Sequence, residues 1–482
     1  MGKQLDILIL NGMVVAGDQE GTRQADLAIS GEKIAAIASP GMLDRATAGQ
    51  IINAEGCWVL PGGVDVHAHI EQMSGMGQMN ADTFETATRS AAMGGTTSVI
   101  SFAAQASGEK LMDTVANYSS LARRGGLIDH AFHITITDPE VVNFETDLEG
   151  LIKQGHRSLK VFTTYNIQLS DAQILHVMTQ ARRHGALVCV HAENDAIIGR
   201  AKAELISAGK LAPKYHAQSH PRMAEIEAIE RMCRFAEFLD QPVMIFHIST
   251  AEGVDIVRTA KKRGAPVWAE TCTHYLIMAE DILDKPGLLG AKWMCSPPQR
   301  QIPDQEALWV GLDDGIIDLV SSDHAPYRFD SSGKLSAGPN PGFHQIANGL
   351  PGLETRLPML FNEMVSKGRM GLEAFAQVTS SRPAQIYGLT EKGSIEVGKH
   401  ADITLWDPHL EHTYGEDDLH DNVGYNPWAG HSVKGWPVHV LQRGKSIMNG
   451  GVLAGKPGEG KWIDRPELAT RPTGKPAGDS WN

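Results

Sequence analysis

Four histidines, a lysine and an aspartate stand in or just after short apolar runs scattered through this sequence. One run closes in His67-Ala68-His69, a later one holds Lys160, and others end in His191, His247 and Asp323. Imidazole nitrogens and carboxylate oxygens are common donors for divalent transition-metal ions. Alternate residues of an extended strand project to the same side, so His67 and His69 can grip one ion together. Any one of these histidines is equally well explained by a structural role, but six such groups at successive strand ends make chance a poor account. Four imidazoles and one aspartate can hold two divalent ions if an anion bridges them. A lysine buried near cations gives up its proton readily, and its free amine can add carbon dioxide to become a bidentate carbamate. Without the histidines, a salt bridge in the interior would be the better account of Lys160.

The elements that must position these groups come in two patterns. Residues 1–60 carry β-rich stretches, Leu5 to Val15 and Ala25 to Ile37, and β-rich stretches return from Gly393 to Trp406 and from Val433 to Val452. The two ends are therefore expected to build one small β-sandwich, from 1–60 and 391–454. Between 61 and 390, eight short strands alternate with amphipathic helices. The expected strands are Trp58–Val66, Thr97–Phe102, Ala131–Thr137, Leu159–Thr163, Leu187–Val190, Val243–Phe246, Val267–Ala269 and Leu319–Ser321. Helical patterns occupy Ala81–Met93, Ala172–Arg183, Met223–Leu239 and Ala251–Arg263. That alternation predicts an α/β chain with a (β/α)8 barrel. A doubly wound open sheet fits the composition as well, but the polar groups gather at C-terminal strand ends, where barrel active sites are built. The tail, 455–482, is rich in Gly and Pro and is expected to be irregular or to form an arm draped over a neighbouring subunit.

The bulk properties narrow the function. The 482 residues are 42% hydrophobic and 21% charged, with 50 glycines, which describes a globular protein with many tight turns. Acidic residues outnumber basic ones, 57 to 43, for a formal charge of -14. Nucleic acid and anionic membranes are therefore not expected partners. Five scattered cysteines form no CxxC pair and suggest no disulfide framework. No signal peptide or membrane span is legible, so a cytoplasmic protein is expected.

The chain resembles the hydantoinase and dihydropyrimidinase group of cyclic amidohydrolases, within the amidohydrolase superfamily. The resemblance rests on Pro61-Gly62-Gly63-Val64-Asp65-Val66-His67-Ala68-His69, Lys160-Val161-Phe162-Thr163-Thr164-Tyr165 and His191-Ala192-Glu193-Asn194. It extends to Ser322-Asp323-His324-Ala325-Pro326, Asn348-Gly349-Leu350-Pro351-Gly352 and Lys434-Gly435-Trp436-Pro437. It implies that His67, His69 and Asp323 bind one zinc, that His191 and His247 bind a second, and that carbamylated Lys160 bridges them. Manganese, cobalt or iron would suit the same donors. It further implies that Tyr165 hydrogen-bonds the carbonyl under attack, while Ser296 and Asn348 hold the ring amide, largely through main-chain groups. The implied reaction opens a cyclic amide or imide by attack of a hydroxide shared between the metals. Asp323 would serve as ligand and proton shuttle, and the assembly would be a homo-oligomer, a tetramer or a dimer.

Two other readings compete. A metal-free scaffold of the dihydropyrimidinase-related type would lack part of the ligand set, which is complete here. A mononuclear deaminase would not need Lys160. Dihydroorotases place an arginine two residues after the second histidine, whereas this chain has Glu71, which would repel a carboxylate substrate. The loop from Glu71 to Met79 departs from the hydantoinase pattern, and its three methionines suggest an adaptable wall for a bulky or flat apolar substituent; core filling explains them equally well.

Overall fold

A computed structural model describes residues 5–17, 21–45 and 48–466. The first five strands are β1 (Leu5–Val15), β2 (Thr22–Ser30), β3 (Lys33–Ala38), β4 (Ala48–Asn53) and β5 (Trp58–Pro61). Eight more follow: β6 (Gly63–Ala68), β7 (Thr96–Ala104), β8 (Asp129–Thr135), β9 (Ser158–Phe162), β10 (Leu187–His191), β11 (Val243–Ile245), β12 (Val267–Cys272) and β13 (Leu319–Ser321). The last four are β14 (Ile403–Thr413), β15 (Ser432–Gln442), β16 (Lys445–Asn449) and β17 (Val452–Leu453).

Strands β6 to β13 pair in chain order, every neighbour parallel. The ring closes where Ala68 bridges His324 and the His69 amide donates to the His324 carbonyl at 2.7 Å. Arg356, fully buried, spans the same seam. Its guanidinium donates to the carbonyls of Val64 in β6 and Val320 in β13, with Asp65 at 3.4 Å. The fold is thus an eight-stranded (β/α)8 barrel. The helices expected between strands are present as Phe84–Met93, Asp171–His184, Arg222–Leu239 and Ala251–Lys262.

Strands from both ends of the chain form a separate nine-stranded mixed sheet, ordered β17-β16-β15-β14-β5-β1-β2-β3 with β4 on β1. Its own apolar cluster includes Ile9, Leu27, Val59, Ile403 and Leu405. One expectation needs correction. The run Trp58–Val66 is two strands, β5 in the terminal sheet and β6 in the barrel. They break at Gly62, where a Cβ would strike the Thr97 side chain.

Alternation along the barrel strands sorts side chains into two layers. Ile100, Phe102, Leu187 and Cys189 face the interior, while Val99, Ala103, Val188 and Val190 pack under the helices. Leu159 and Val161 face outward, which turns Lys160 inward. It pairs in register with Cys189. The described part of the tail, up to residue 466, packs on its own chain. The amides of His130 and Ile463 trade bonds with the carbonyls of Lys461 and His130, and Arg465, 0% exposed, donates to the Phe132 and Gly155 carbonyls. This stretch therefore lies against the barrel's own N-terminal end, and the arm expected of 467–482 falls outside the described residues.

Candidate active site

The C-terminal mouth of the barrel gathers the groups singled out above. A register shift between Asp65 and Ala68 bends the end of β6. His67 comes to rest against Phe246, ring centroids 4.2 Å apart, and His69 stacks on Phe102 at 4.4 Å. Both imidazoles reach one oxygen of Asp323: the Nε2 atoms of His67 and His69 lie 3.1 and 3.5 Å from Oδ1. The ring of His247 lies 5.5 Å from that of His67 and 4.4 Å from that of His191. The five residues thus form one continuous arc.

Lys160 sits beneath it, 1% exposed, its Nζ over the rings of Phe246, Phe162 and Phe102 at 4.0, 4.9 and 5.7 Å. Burial lowers its pKa to about 8, so the free amine is far more accessible than in an exposed lysine. Burial also holds His67 and His247 well below the ordinary imidazole range, and His191 is shifted the same way. Neutral imidazoles keep the lone pair that ligation requires.

Three of these positions depend on backbone that few side chains adopt. Tyr165, His247 and Asp323 have φ of 69°, 42° and 45°. Left-handed backbone costs a non-glycine residue on the order of 1–3 kcal/mol, and such residues cluster at functional sites. The surrounding packing must hold them there.

Opposite the arc, Tyr165 places its ring 5.2 Å from that of His191. Desolvation, then the Glu193 carboxylate, raise the pKa of its hydroxyl well above normal, against a lowering influence of the nearby Ser296 and Asn348 side chains. Asn348 keeps a buried Oδ1 without a partner. All nine residues expected in the site therefore gather at the C-terminal end of the barrel.

A model of the amidohydrolase family matches residues 58–447. The chain belongs to that family. A D-hydantoinase from Rhizobium radiobacter is 40% identical over 464 residues, covering 96% of this chain and 99% of the relative. A D-phenylhydantoinase from Escherichia coli O1:K1 / APEC is 36% identical over 462 residues, covering 95% and 98%. The crystal structure of a dihydropyrimidinase from Brevibacillus agri NCHU1002 superposes with a TM-score of 0.91 at 36% identity, covering 96% of this chain and 99% of that one.

In this amidohydrolase the histidines are anchored from behind by residues that sequence reasoning passed over. Glu270 accepts from His67 Nδ1 at 2.9 Å, and Gln72 meets His69 Nδ1 at 2.7 Å. Glu193, 0% exposed, accepts from His191 Nε2 and His220 Nδ1, each at 2.9 Å, and from Ser296 Oγ at 2.7 Å. Partners of this kind fix the tautomer and raise ligand basicity. Glu270 had a signal: it is the one acid in the apolar run Val267–Cys272. His220 had none.

Glu71 also has a structural part. Its carboxylate accepts from the amide of Phe84, the first residue of its helix, and pairs with Arg124 at 3.0 Å. It caps that helix.

Proposed function

We propose that this amidohydrolase hydrolyses a cyclic amide or imide, a hydantoin, dihydropyrimidine or related ring, at two divalent cations, with zinc the first choice. The observation that carries the reading is the arc of His67, His69, His191, His247 and Asp323 above a buried, readily deprotonated Lys160. The donor set fits cations: ligand atoms of His67, His69 and Asp323 all lie within 4.8 Å of one another. Those three would hold one ion and His191 and His247 the other. Glu193 engages Nε2 of His191, which leaves Nδ1 as its ligand atom. The Lys160 amine would form an N–C bond to carbon dioxide and release one proton, and the resulting carbamate would bridge the pair.

When bound, such a pair activates water as a nucleophile near neutral pH and polarises a carbonyl. The protein's groups do the rest. Asp323 would take the proton as water oxygen bonds to the ring carbonyl carbon. It would pass that proton to the ring nitrogen as the C–N bond breaks, leaving a carboxylate on the opened chain. Tyr165, kept protonated by its raised pKa, would donate to the carbonyl oxygen as charge develops there. Ser296 and Asn348 would hold the amide edge of the ring.

The loop bearing Met73, Met76 and Met79 favours a ring with a bulky or flat apolar substituent. These side chains are about half exposed, and the loop leans on Asn166, next to Tyr165. The reading also takes the enzyme to be cytoplasmic, which its five free thiols support, and a homo-oligomer. It keeps 61–390 as the catalytic unit and 1–60 with 391–454 as the small one.

The test combines metal analysis with hydrolysis of a panel of hydantoins and dihydropyrimidines. Lys160→Ala is expected to lose metal and activity together and to regain part of both with added acetate. Wild-type protein that opens no cyclic amide would refute the function, and a Lys160→Ala protein holding both metals would refute the bridge.

A further inference from the structure

Lys334 is 0% exposed, yet it lies outside the arc of proposed ligands, in the long loop that follows β13. Among the described residues no carboxylate pairs with it. Its Nζ instead donates to two backbone carbonyls, Ala347 at 2.8 Å and Met294 at 3.3 Å. Those carbonyls belong to different loops. Met294 lies two residues before Ser296, after β12, and Ala347 immediately precedes Asn348, after β13. One amine therefore ties together the two segments that carry Ser296 and Asn348, both close enough to Tyr165 to influence its hydroxyl.

The tie is reinforced on both sides. The amide of Gly349 donates to the same Met294 carbonyl at 2.8 Å. His216 Nε2 donates to the Cys295 carbonyl at 2.7 Å and the Tyr275 hydroxyl to that of Pro297 at 2.6 Å. Each carbonyl flanking Ser296 thus has a buried donor, and of these donors Lys334 is the one whose side chain reaches both loops. Burying an amine without a counter-ion is costly, and burial lowers this one to a pKa of about 7. The neutral amine has two N–H donors for two acceptors, so it matches its surroundings without needing the charge.

We propose that Lys334 is a positioning residue for the ring substrate, setting the distance between the Ser296 and Asn348 loops and so the width of the cleft that receives the amide. It touches neither substrate nor metal and acts through the two loops. The inference rests on the cyclic-amide reading above.

Lys334→Met removes both donors at nearly constant length and volume. In metal-loaded, full-length protein, K334M is expected to raise KM for unsubstituted hydantoin about tenfold or more, the equivalent of about 1.4 kcal/mol. kcat should fall less than KM rises, and metal content should stay at the wild-type level. The exchange of the Gly349 amide should quicken about tenfold, a readout independent of turnover. K334M with wild-type KM and wild-type protection at Gly349 overturns the proposal, as does an equal loss of every metal. If K334M does not fold, K334Q decides by the same measurements, since its shorter amide cannot span both carbonyls. A wild-type KM in K334Q also overturns it. Wild-type protein inactive on every ring would instead sink the cyclic-amide reading, while the Gly349 exchange would still judge the tie.

Discussion

Replacing Glu193 by glutamine would test whether buried carboxylates behind the histidines set the metal affinity. Glu193 accepts three hydrogen bonds, from His191, His220 and Ser296, and none of its oxygens reaches solvent. Burial alone would raise its pKa; His220 and His191 overcome that and hold it well below the ordinary range, so it is a carboxylate when the site works. An amide keeps one acceptor oxygen and turns the other into a donor. In its better orientation the oxygen still serves His191 and Ser296, and the amine meets His220 donor to donor. The loss is then one charge-assisted bond between buried groups, about 1.5–3 kcal/mol, or roughly 10–100-fold in an equilibrium constant. Removing an outer partner of a metal-ligating histidine typically costs the same range. Competition with a chelator should therefore show the ion assigned to His191 and His247 bound about 10–100-fold more weakly in Glu193→Gln. The ion assigned to His67, His69 and Asp323 should change little, because those side chains lean on Glu270 and Gln72. Unchanged affinity for both ions, or equal loss of both in a protein with wild-type circular dichroism, would refute the reasoning.

Two further outcomes follow from the same geometry. Asp323→Ala is expected to lower kcat by on the order of 10²–10⁴, the usual worth of a general acid–base, and full activity would remove Asp323 from the proton path. Away from the site, Asp304 accepts from Arg222 twice at 2.7 Å and from the amide of Ala251 at 2.9 Å. Burial pushes its pKa up, but Arg222 and the amides of Ala251 and Gln301 outweigh that and leave it lowered. Its stabilisation is therefore complete above the unfolded value of about 3.9 and fades as pH falls through the lower folded value. Asp304→Asn should be less stable than wild type by about 2 kcal/mol at neutral pH, with the gap closing in acid. Denaturant melts that show a constant gap across that range would contradict this.

The sequence by itself determined the periodic part of the protein. The switch from β-rich ends to alternating strands and helices is written in local spacing, and it located the eight barrel strands, the first of them run together with β5, and four of the helices between them. His67, His69, Lys160, His191, His247 and Asp323 were legible for the same reason, since a polar group in or just after an apolar run marks a strand, whereas Tyr165, Ser296 and Asn348 were expected only from the family resemblance. Tertiary structure alone decided what stands behind them. His67 meets Glu270 across 203 residues, and Ser296 meets Glu193 across 103. Such pairings are fixed by barrel closure and loop return, which no local pattern encodes. The left-handed backbone at Tyr165, His247 and Asp323 was equally invisible, because no residue type there announces it and only the surrounding packing can sustain its cost. The break at Gly62, the capping role of Glu71 and the burial of Arg465 under the barrel belong to the same class. In each, the sequence supplied a residue capable of several roles, and the folded neighbours chose among them.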